Sequence, residues 1–328
     1  MGCPTPLRYE DDASMEEVFI ALRPLLFSIA YRMLSSVTDA EDVVQESWLR
    51  YDRALADGAD IASPKAFLSA VVTRLSIDVL RSARVRRESY VGEWFPEPLL
   101  GEPVMTGPAA VDPADAGADS DSLSMAFLLV LERLSPVERA VFLLHDVFAY
   151  EFAEIASIVE RSAENCRQIA VRARRHVREH RPRFEPSREE RDRLASQLIA
   201  AMTDGDLDGL VKVLADDVVV TGDSGGVPPR WTRPIVGRDN VARLLLGLAA
   251  QIGALAGLRI ERVEVNGQPG ACVRDADGRL VTVFSFDIAD GAVQAVRSVI
   301  SREKLRHLGP LADIDALRTQ GRSARVKS

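Results

Sequence analysis

The sequence has few cysteines and no apolar run long enough to cross a membrane. Its three cysteines, Cys3, Cys166 and Cys272, are widely separated and include no C-x-x-C pair, which argues against a disulfide framework and a cysteine zinc site. No apolar run approaches the roughly 20 residues of a membrane span, and the N-terminus, MGCPTPLRYEDD, lacks the basic and apolar regions of a signal peptide. These absences favour a cytoplasmic protein that uses no metal or cofactor and contacts no membrane.

The chain is acidic as a whole but carries two basic clusters. It has 328 residues, a formal net charge of −8 and a pI near 5.2. That length predicts two or three domains. Hydrophobic residues make up 47% and charged residues 27% of the chain, which is typical of folded globular proteins and argues against extensive disorder.

Residues 15–90 carry a helical pattern throughout and form the first predicted domain. In TDAEDVVQESWLRYD, Thr38 and Glu41 stand at capping-box spacing, and the apolar residues that follow recur at helical intervals. Ser63 and Pro64 are predicted to be the cap and the first residue of the next helix. That helix ends in the first basic cluster, which contains Arg81, Arg84, Arg86 and Arg87.

Residues 91–122 differ in kind, with five prolines, several carboxylates and no lysine, arginine or histidine. This composition predicts an acidic, Pro-rich linker that forms no helix and does not pack on its own. Helical patterns resume over residues 123–183, where Ser135, Pro136 and Glu138 are spaced as a capping box. Two of these helices are separated by a short polar break, and that spacing is typical of a helix-turn-helix unit.

The second helix of that unit is rich in arginine, since residues 161–183 contain eight arginines against two glutamates. A solvated basic helix face is the simplest explanation for such a run. Its position in the helix-turn-helix, with Ser162 as a cap, instead indicates a recognition helix in the major groove of DNA. Residues near its start could contact base edges and later arginines could contact phosphates; the two sets are Glu164, Asn165, Arg167 and Gln168, and Arg172, Arg174, Arg175 and Arg178.

Beyond Arg188 helical patterns give way to strand-like runs, which predicts an α+β domain over residues 189–306. Asn266-Gly267, Asp277-Gly278 and Asp290-Gly291 are hairpin signals, so the strands they connect are predicted to form an antiparallel meander. Residues 307–328 are predicted to be a flexible tail.

Three stretches resemble the bacterial extracytoplasmic-function (ECF) sigma factors: DAEDVVQESWLRYD, RLSIDVLRSARVRRE, and LSPVERAVFLLHDVFAYEFAEIA followed by RSAENCRQIAVRARRHV. That family consists of sigma regions two and four with only a linker between them, and the resemblance covers about residues 15–182. The WFPEP stretch and the appended domain are similar to a subgroup with a SnoaL-like extension of the nuclear-transport-factor-2-like cone fold. The resemblance implies a multidomain protein with two all-α sigma domains, a region two helical bundle and a region four helix-turn-helix, plus an α+β cone domain.

The resemblance also implies a function and its residues. An alternative sigma factor binds core RNA polymerase and promoter DNA, and it directs promoter-specific transcription initiation without catalysing a reaction itself. The implied polymerase-docking residues are Glu41, Asp42, Gln45 and Glu46. Those implied at the minus-ten promoter element are Arg74, Arg81, Arg84, Arg86 and Arg87, and those at the minus-thirty-five element are Arg167, Gln168, Val171, Arg172, Arg174 and Arg175.

In relatives of the subgroup, two short motifs of the extension, D-G-G-G-K and N-P-D-K-L, contact the linker and tune activity. Here residues 223–227 are D-S-G-G-V and residues 301–305 are S-R-E-K-L, so both motifs depart from the pattern. The contact implied between the linker and the C-terminal domain involves Trp94, Pro96, Glu97, Pro98, Asp223, Gly225, Gly226, Lys304 and Leu305.

Other functions stay open at this point. SnoaL-like domains can be isomerase- or cyclase-type enzymes, which need a general base and an oxyanion donor. Residues 188–306 contain no histidine or tyrosine, and Asp223 and Asp287 are the candidate carboxylates. A helix-turn-helix regulator that acts without polymerase would have no use for an exposed polar docking helix at residues 39–52. A small ligand of the C-terminal domain also stays open.

Overall fold

The computed structural model describes residues 15–88, 90, 93–101, 122–180, 186–226, 233–254, 257–313 and 316, apart from the side chains of residues 83–88 and 180. Within these ranges the chain forms a helical N-terminal part and an α+β C-terminal part. The N-terminal helices are α1 (Met15–Leu34), α2 (Val37–Ala56), α3 (Pro64–Glu88), α4 (Met125–Leu131), α5 (Pro136–Phe142), a π-helical turn (Leu143–Val147), α6 (Phe152–Val159) and α7 (Ala163–His180).

Side-chain caps start several of these helices. Ser63 Oγ accepts a hydrogen bond from the Ala66 N–H ahead of α3, and Ser135 and Glu138 form the predicted capping box of α5. The prediction for α2 is wrong in its cap. The helix starts two residues earlier than the Thr38 box requires, and Ser36 accepts the Asp39 N–H instead.

The two helical units pack on one continuous hydrophobic core, to which α1–α3 and α4–α7 both contribute. Arg139 is 1% exposed and donates hydrogen bonds to the Met33 carbonyl at 2.6 Å, the Leu131 carbonyl at 2.9 Å and the Glu132 carboxylate at 2.8 Å. Because a buried charge is costly unless it is paired, these acceptors make Arg139 a fixed link between the units.

The C-terminal part is the predicted α+β domain. Its helices are α8 (Arg188–Asp204), α9 (Leu207–Val213), α10 (Arg238–Ala254) and α11 (Arg302–Leu305), followed by a 3₁₀ turn (Arg306–Leu308). Its strands are β1 (Leu214–Asp223), β2 (Ile235–Val236), β3 (Arg259–Val265), β4 (Gln268–Arg274), β5 (Leu280–Ala289) and β6 (Ala292–Val299).

The six strands form one sheet in the order β2-β1-β6-β5-β4-β3. The β3–β6 meander is antiparallel, as predicted, whereas β1 pairs with β6 in parallel. Asn266 and Gly267 have φ of 53° and 72°, and Asp290 and Gly291 have 50° and 71°, so both hairpins turn through two residues of positive φ.

The two faces of this sheet bury different partners. Side chains alternate along a strand, and Phe284 and Phe286 of β5 join a core with helices α8–α10. Val283, between them, joins a second cluster with Phe95 of the linker and Met125 of α4. The sheet therefore connects its own helical layer to the sigma-like part of the chain.

Parts of the predicted linker and of the predicted tail are packed against the rest of the molecule. Residues 93–101, named here the linker segment, are extended and packed between the two parts of the molecule, and Phe95, Pro96, Glu97 and Pro98 are all buried. The start of the predicted tail also packs on the sheet, since the Leu280 N–H donates to the Pro310 carbonyl and the Ala312 N–H to the Leu280 carbonyl, both at 2.9 Å. Acidic, Pro-rich composition did not reveal this packing because the partners belong to distant elements.

Candidate functional sites

Helix α7 presents one polar face to solvent. Cys166, Ile169, Ala170, Ala173 and Val177 face the core, and Ser162 caps the helix by accepting the Asn165 N–H at 3.2 Å. The exposed predicted residues are Arg167, Gln168, Val171, Arg172 and Arg175. An amphipathic helix with a polar, arginine-rich outer face is suited to lie in a DNA groove.

Two features of this face stand out. Val171 is 63% exposed, and an apolar side chain at a groove can contact a thymine methyl group. Arg167 lies 3.3 Å from Glu164 and over the Phe152 ring at 5.6 Å, and both charged side chains stay mostly exposed. Arg174 differs from the others, because its Nε donates to Asp146 of the π-helical turn at 2.7 Å.

The arginines predicted for the minus-ten element fall in three different situations. Arg81 is exposed beside Asp78, at 3.3 Å. Arg74 reaches across to the other helical unit and donates to the carbonyls of Ser157 at 2.8 Å and Ile158 at 2.9 Å, at the end of α6. The side chains of Arg84, Arg86 and Arg87 lie outside the described residues.

The predicted docking residues lie along the outer face of α2. Asp42 and Gln45 are exposed, Glu46 pairs with Arg50 at 2.9 Å, and Glu41 pairs with Arg23 of α1. Leu49 lies on the same face and is 49% exposed. Sequence reasoning missed Leu49, although its i+3, i+4 and i+7 spacing from Glu46, Gln45 and Asp42 was visible.

The linker segment caps this helix. The Glu97 carboxylate accepts hydrogen bonds from the Val37 N–H at 2.8 Å, the Thr38 N–H at 3.3 Å and the Ser36 hydroxyl at 3.0 Å. A carboxylate at a helix N-terminus satisfies free backbone donors and complements the helix dipole. The linker thus directly caps the N-terminus of α2.

The C-terminal domain binds the backbone of the same segment. The Phe95 N–H donates to Asp223 Oδ2 at 2.9 Å, and Lys304 Nζ donates to the Phe95 carbonyl at 2.5 Å. Lys304 and Asp223 also form an ion pair of 2.6 Å with side chains 8% and 0% exposed. Lys304 and Asp223, which the resemblance implied as contacts of the linker, therefore both bind the linker segment.

Aromatic side chains enclose the ion pair. Lys304 Nζ lies 4.9 Å from the centroid of the Tyr90 ring and 4.2 Å from that of Trp94, as in cation–π contacts. The Tyr90 hydroxyl donates to Asp223, and burial together with the Asp223 carboxylate raises the Tyr90 pKa well above its usual range. The Phe95 ring is 2% exposed in a cluster with Leu305 and Val299.

A second set of contacts lies further along the linker. Asn266 and Leu99 exchange hydrogen bonds, with the Asn266 N–H donating to the Leu99 carbonyl at 2.8 Å and the Leu99 N–H to Asn266 Oδ1 at 3.0 Å. The Asn266 amide also donates to the Tyr31 hydroxyl at 2.7 Å, which donates to the Glu97 carbonyl at 2.6 Å. His307 donates to the Pro98 carbonyl at 2.8 Å. Asn266 had been singled out only as a turn residue.

The glycine pair acts on the linker through Asp223. The Gly225 N–H donates to Asp223 Oδ1 at 2.9 Å, and φ is 64° at Gly225 and 76° at Gly226. A Cβ on Gly225 would lie 2.8 Å from Ser301 Oγ. This turn therefore closes against the start of α11, which carries Lys304.

Comparison with known proteins agrees with this geometry. Residues 18–86 match the Sigma-70 region 2 family and residues 124–177 the Sigma-70 region 4 family. The chain is 40% identical over 297 residues to the ECF RNA polymerase sigma factor SigJ of Mycobacterium tuberculosis, covering 87% of this chain and 91% of that protein. It is 28% identical over 299 residues to the ECF RNA polymerase sigma factor SigG of the same species, covering 84% and 77%.

Two solved structures are similar to this chain over different lengths. The crystal structure of M. tuberculosis SigJ matches with a TM-score of 0.68 at 38% identity, covering 90% of this chain and 100% of that one. An NTF2-like protein from Burkholderia xenovorans covers 37% of this chain and 96% of its own at 23% identity, with a TM-score of 0.26.

A two-domain sigma architecture with a fused α+β domain defines the class of this protein. The chain belongs to the ECF sigma factors, the alternative sigma subunits of bacterial RNA polymerase. Among the described residues, no helix has the length and apolar character needed to cross a membrane.

Proposed function

We propose that this sigma factor directs promoter-specific transcription in the cytoplasm, and that its C-terminal domain restrains it by holding the linker segment. The observation that carries the second part is the double attachment of that segment. Phe95 is bound by Asp223 and Lys304 of the C-terminal domain, and Glu97, two residues on, caps α2. The C-terminal domain is thereby connected to the helix that we assign to polymerase docking.

The docking surface consists of Glu41, Asp42, Gln45 and Glu46, with Leu49 as an added apolar contact. A polar surface around one exposed leucine fits a protein interface, in which an apolar anchor is surrounded by polar groups.

We assign base contacts at the minus-thirty-five element to Arg167, Gln168 and Val171, and phosphate contacts to Arg172 and Arg175. All five are exposed on α7. Exposed Arg81 is our candidate for the minus-ten strand, and Arg84, Arg86 and Arg87 remain candidates from the sequence.

The close packing of the two helical units supports inhibition of the sigma factor by its C-terminal domain. The two promoter elements are centred roughly 25 base pairs apart, or ~85 Å along the duplex at 3.4 Å per base pair. In the structure the two helical units share one core, and Arg74 of α3 is bonded to α6. The units must separate before both elements can be contacted, and a pinned linker opposes that separation.

We also infer that the C-terminal domain acts by binding and not by catalysis. Of its two candidate carboxylates, Asp223 is paired with Lys304 and bonded to the linker, and Asp287 is paired with Arg297. Neither stands as an unengaged general base.

Run-off transcription with bacterial core polymerase, on the DNA upstream of this gene, tests both parts. Three proteins are compared: the full chain, a chain ending at Pro186, and Lys304→Met in the full chain. We expect transcript from the full chain and more transcript from Lys304→Met, because the substitution removes the Lys304 hydrogen bond to the Phe95 carbonyl and its ion pair with Asp223 while the C-terminal domain stays attached.

Less transcript from Lys304→Met would show that the C-terminal domain activates the sigma factor and does not restrain it. The absence of transcript from all three, together with no capture of core polymerase in a pull-down, would contradict the sigma function if that polymerase is active with another sigma factor.

A further inference from the structure

The π-helical turn sets Asp146 against the recognition helix. In this turn the Phe148 N–H donates to the Leu143 carbonyl, five residues back, at 3.0 Å, and the Tyr150 N–H donates to the Leu144 carbonyl at 2.8 Å. Ala149 then has φ of 56°, which is uncommon for a residue other than glycine. The widened turn follows α5, ahead of the helix-turn-helix formed by α6 and α7, and it carries Asp146 on the side that faces α7.

Asp146 engages Arg174 in a directed, charge-assisted hydrogen bond. Arg174 Nε donates to Asp146 Oδ1 at 2.7 Å, and the two side chains are 32% and 25% exposed. Both are thus half withdrawn from solvent, and Arg174 lies at the edge of the buried stripe next to Ala173. The Nε donor of Arg174 is thereby committed to Asp146, and the carboxylate charge beside the guanidinium opposes the approach of a phosphate to it.

The neighbouring arginines are in a different state. Arg172 and Arg175 are exposed, and neither has an ion pair within 4.0 Å among the described residues. On this helix, therefore, the number of arginines does not by itself give the positive charge that is available to DNA. One arginine of the run is held by a carboxylate of the π-helical turn, which lies before α6 in the chain.

We propose that Asp146 withholds Arg174 from the phosphate-contacting set and uses it to fix the orientation of α7. Arg174 is then a positioning residue, and the phosphates are contacted by Arg172 and Arg175. This inference rests on the proposed role of α7 in DNA binding. It replaces the assignment of Arg174 as a phosphate contact that the arginine pattern had predicted.

Salt dependence distinguishes the two roles, because each phosphate contact releases counterions. One contact changes the slope of log K against log salt by ~0.9, so the affinity ratio between 50 and 200 mM salt changes by about 3.5-fold. We would measure promoter binding of the holoenzyme over this range for Arg174→Gln, Asp146→Asn and Arg172→Gln. Asp217→Asn, which neutralises an exposed carboxylate of the C-terminal domain, controls for net charge.

We expect Arg172→Gln to reduce the salt ratio about 3.5-fold and Arg174→Gln to leave it unchanged. Asp146→Asn should increase the ratio by about the same factor, because it frees Arg174, and Asp217→Asn should not. Thermal unfolding should show that Arg174→Gln and Asp146→Asn each lower Tm and that the double variant falls no further.

The inference is overturned if Arg174→Gln flattens the salt dependence as Arg172→Gln does, or if Asp146→Asn leaves it unchanged. If Arg172→Gln and Arg175→Gln also have no effect on the slope, α7 does not bind phosphates. The proposed function of the helix then fails, and the inference about Arg174 fails with it.

Discussion

Lys304 and Asp223 form a buried ion pair at 2.6 Å that also binds the backbone of the linker segment. Asp223 accepts the Phe95 N–H, Lys304 donates to the Phe95 carbonyl, and the rings of Tyr90 and Trp94 lie over the ammonium. A buried pair of this kind adds little stability relative to an apolar pair, but it is costly to break from one side. It therefore makes the domain contact depend on the linker being in place.

The two halves of this pair should respond differently to substitution. Asp223→Ala leaves the Lys304 ammonium buried without a counterion, and we expect the free energy of unfolding to fall by about 3–5 kcal/mol. Lys304→Met should cost less, because Asp223 still accepts from Phe95 and Gly225 N–H groups. Chemical denaturation of the full chain measures both. A larger loss for Lys304→Met would contradict this account.

Glu97 should stabilise the start of α2. Glu97→Ala removes the acceptor for the Val37 and Thr38 N–H groups, and we expect a loss of about 1–2 kcal/mol, as for other caps. Hydrogen exchange of those two amides should accelerate. Glu93, an exposed linker carboxylate, provides the control as Glu93→Ala, for which neither effect is expected. Equal exchange rates in both variants would show that Glu97 is not the cap.

Local patterns predicted the two helical units, the α+β domain and its hairpins, because helical periodicity, caps and Asn-Gly turns are encoded by neighbouring residues. They did not predict that the linker would be buried. The carboxylate of Glu97 is satisfied by an N–H group 60 residues earlier, and the side chain of Asn266 reaches Tyr31 of α1. No local signal specifies such partners.

The same limit applies to the arginines. The sequence shows how many arginines α3 and α7 contain, but it does not show which groups those arginines are bonded to. Arg74 is bonded to the carbonyls of Ser157 and Ile158, and Arg174 to Asp146. A resemblance to a family assigned DNA binding to these helices, while the state of each charge follows from contacts across the fold.

Leu49 should contribute to polymerase binding without stabilising the fold. It is 49% exposed, so Leu49→Ala should leave Tm nearly unchanged. At an interface, truncation should cost ~1 kcal/mol or more, or roughly 5-fold in affinity for core polymerase. Leu207 of the C-terminal domain, which is 43% exposed, offers a matched control as Leu207→Ala. Equal affinities for the two variants would remove Leu49 from the docking surface.

Alkaline pH should loosen the linker through Tyr90. Its pKa is raised in the folded protein by burial and by the Asp223 carboxylate, whereas an unfolded tyrosine titrates near 10. Above about pH 10 the unfolded state binds fewer protons than the folded state, so stability falls as pH rises. Burial raises the pKa values of Tyr31 and Tyr150 as well. Tyr90→Phe should therefore reduce the alkaline loss of stability without abolishing it, and an unchanged loss would remove Tyr90 from this effect.

Arg167 should determine base preference at one promoter position. It is exposed near the start of α7, and its guanidinium stays accessible beside Glu164 and over the Phe152 ring. Because a bidentate arginine–base contact discriminates by about 1–3 kcal/mol, Arg167→Ala should bring the affinities for the four bases at that position closer by roughly 5- to 150-fold. Arg172→Ala should instead weaken binding about equally for every base, since a phosphate contact carries no sequence information.

Competition binding of the holoenzyme to a promoter library, substituted at each position of the minus-thirty-five element, compares the two variants. A relaxed preference at one position in Arg167→Ala, and at none in Arg172→Ala, is the expected result. If Arg167→Ala weakens all sequences uniformly, Arg167 contacts the backbone and the base-reading residue must be sought among Gln168 and Val171. These are the other two residues that we assign to base contacts, and both are exposed on α7.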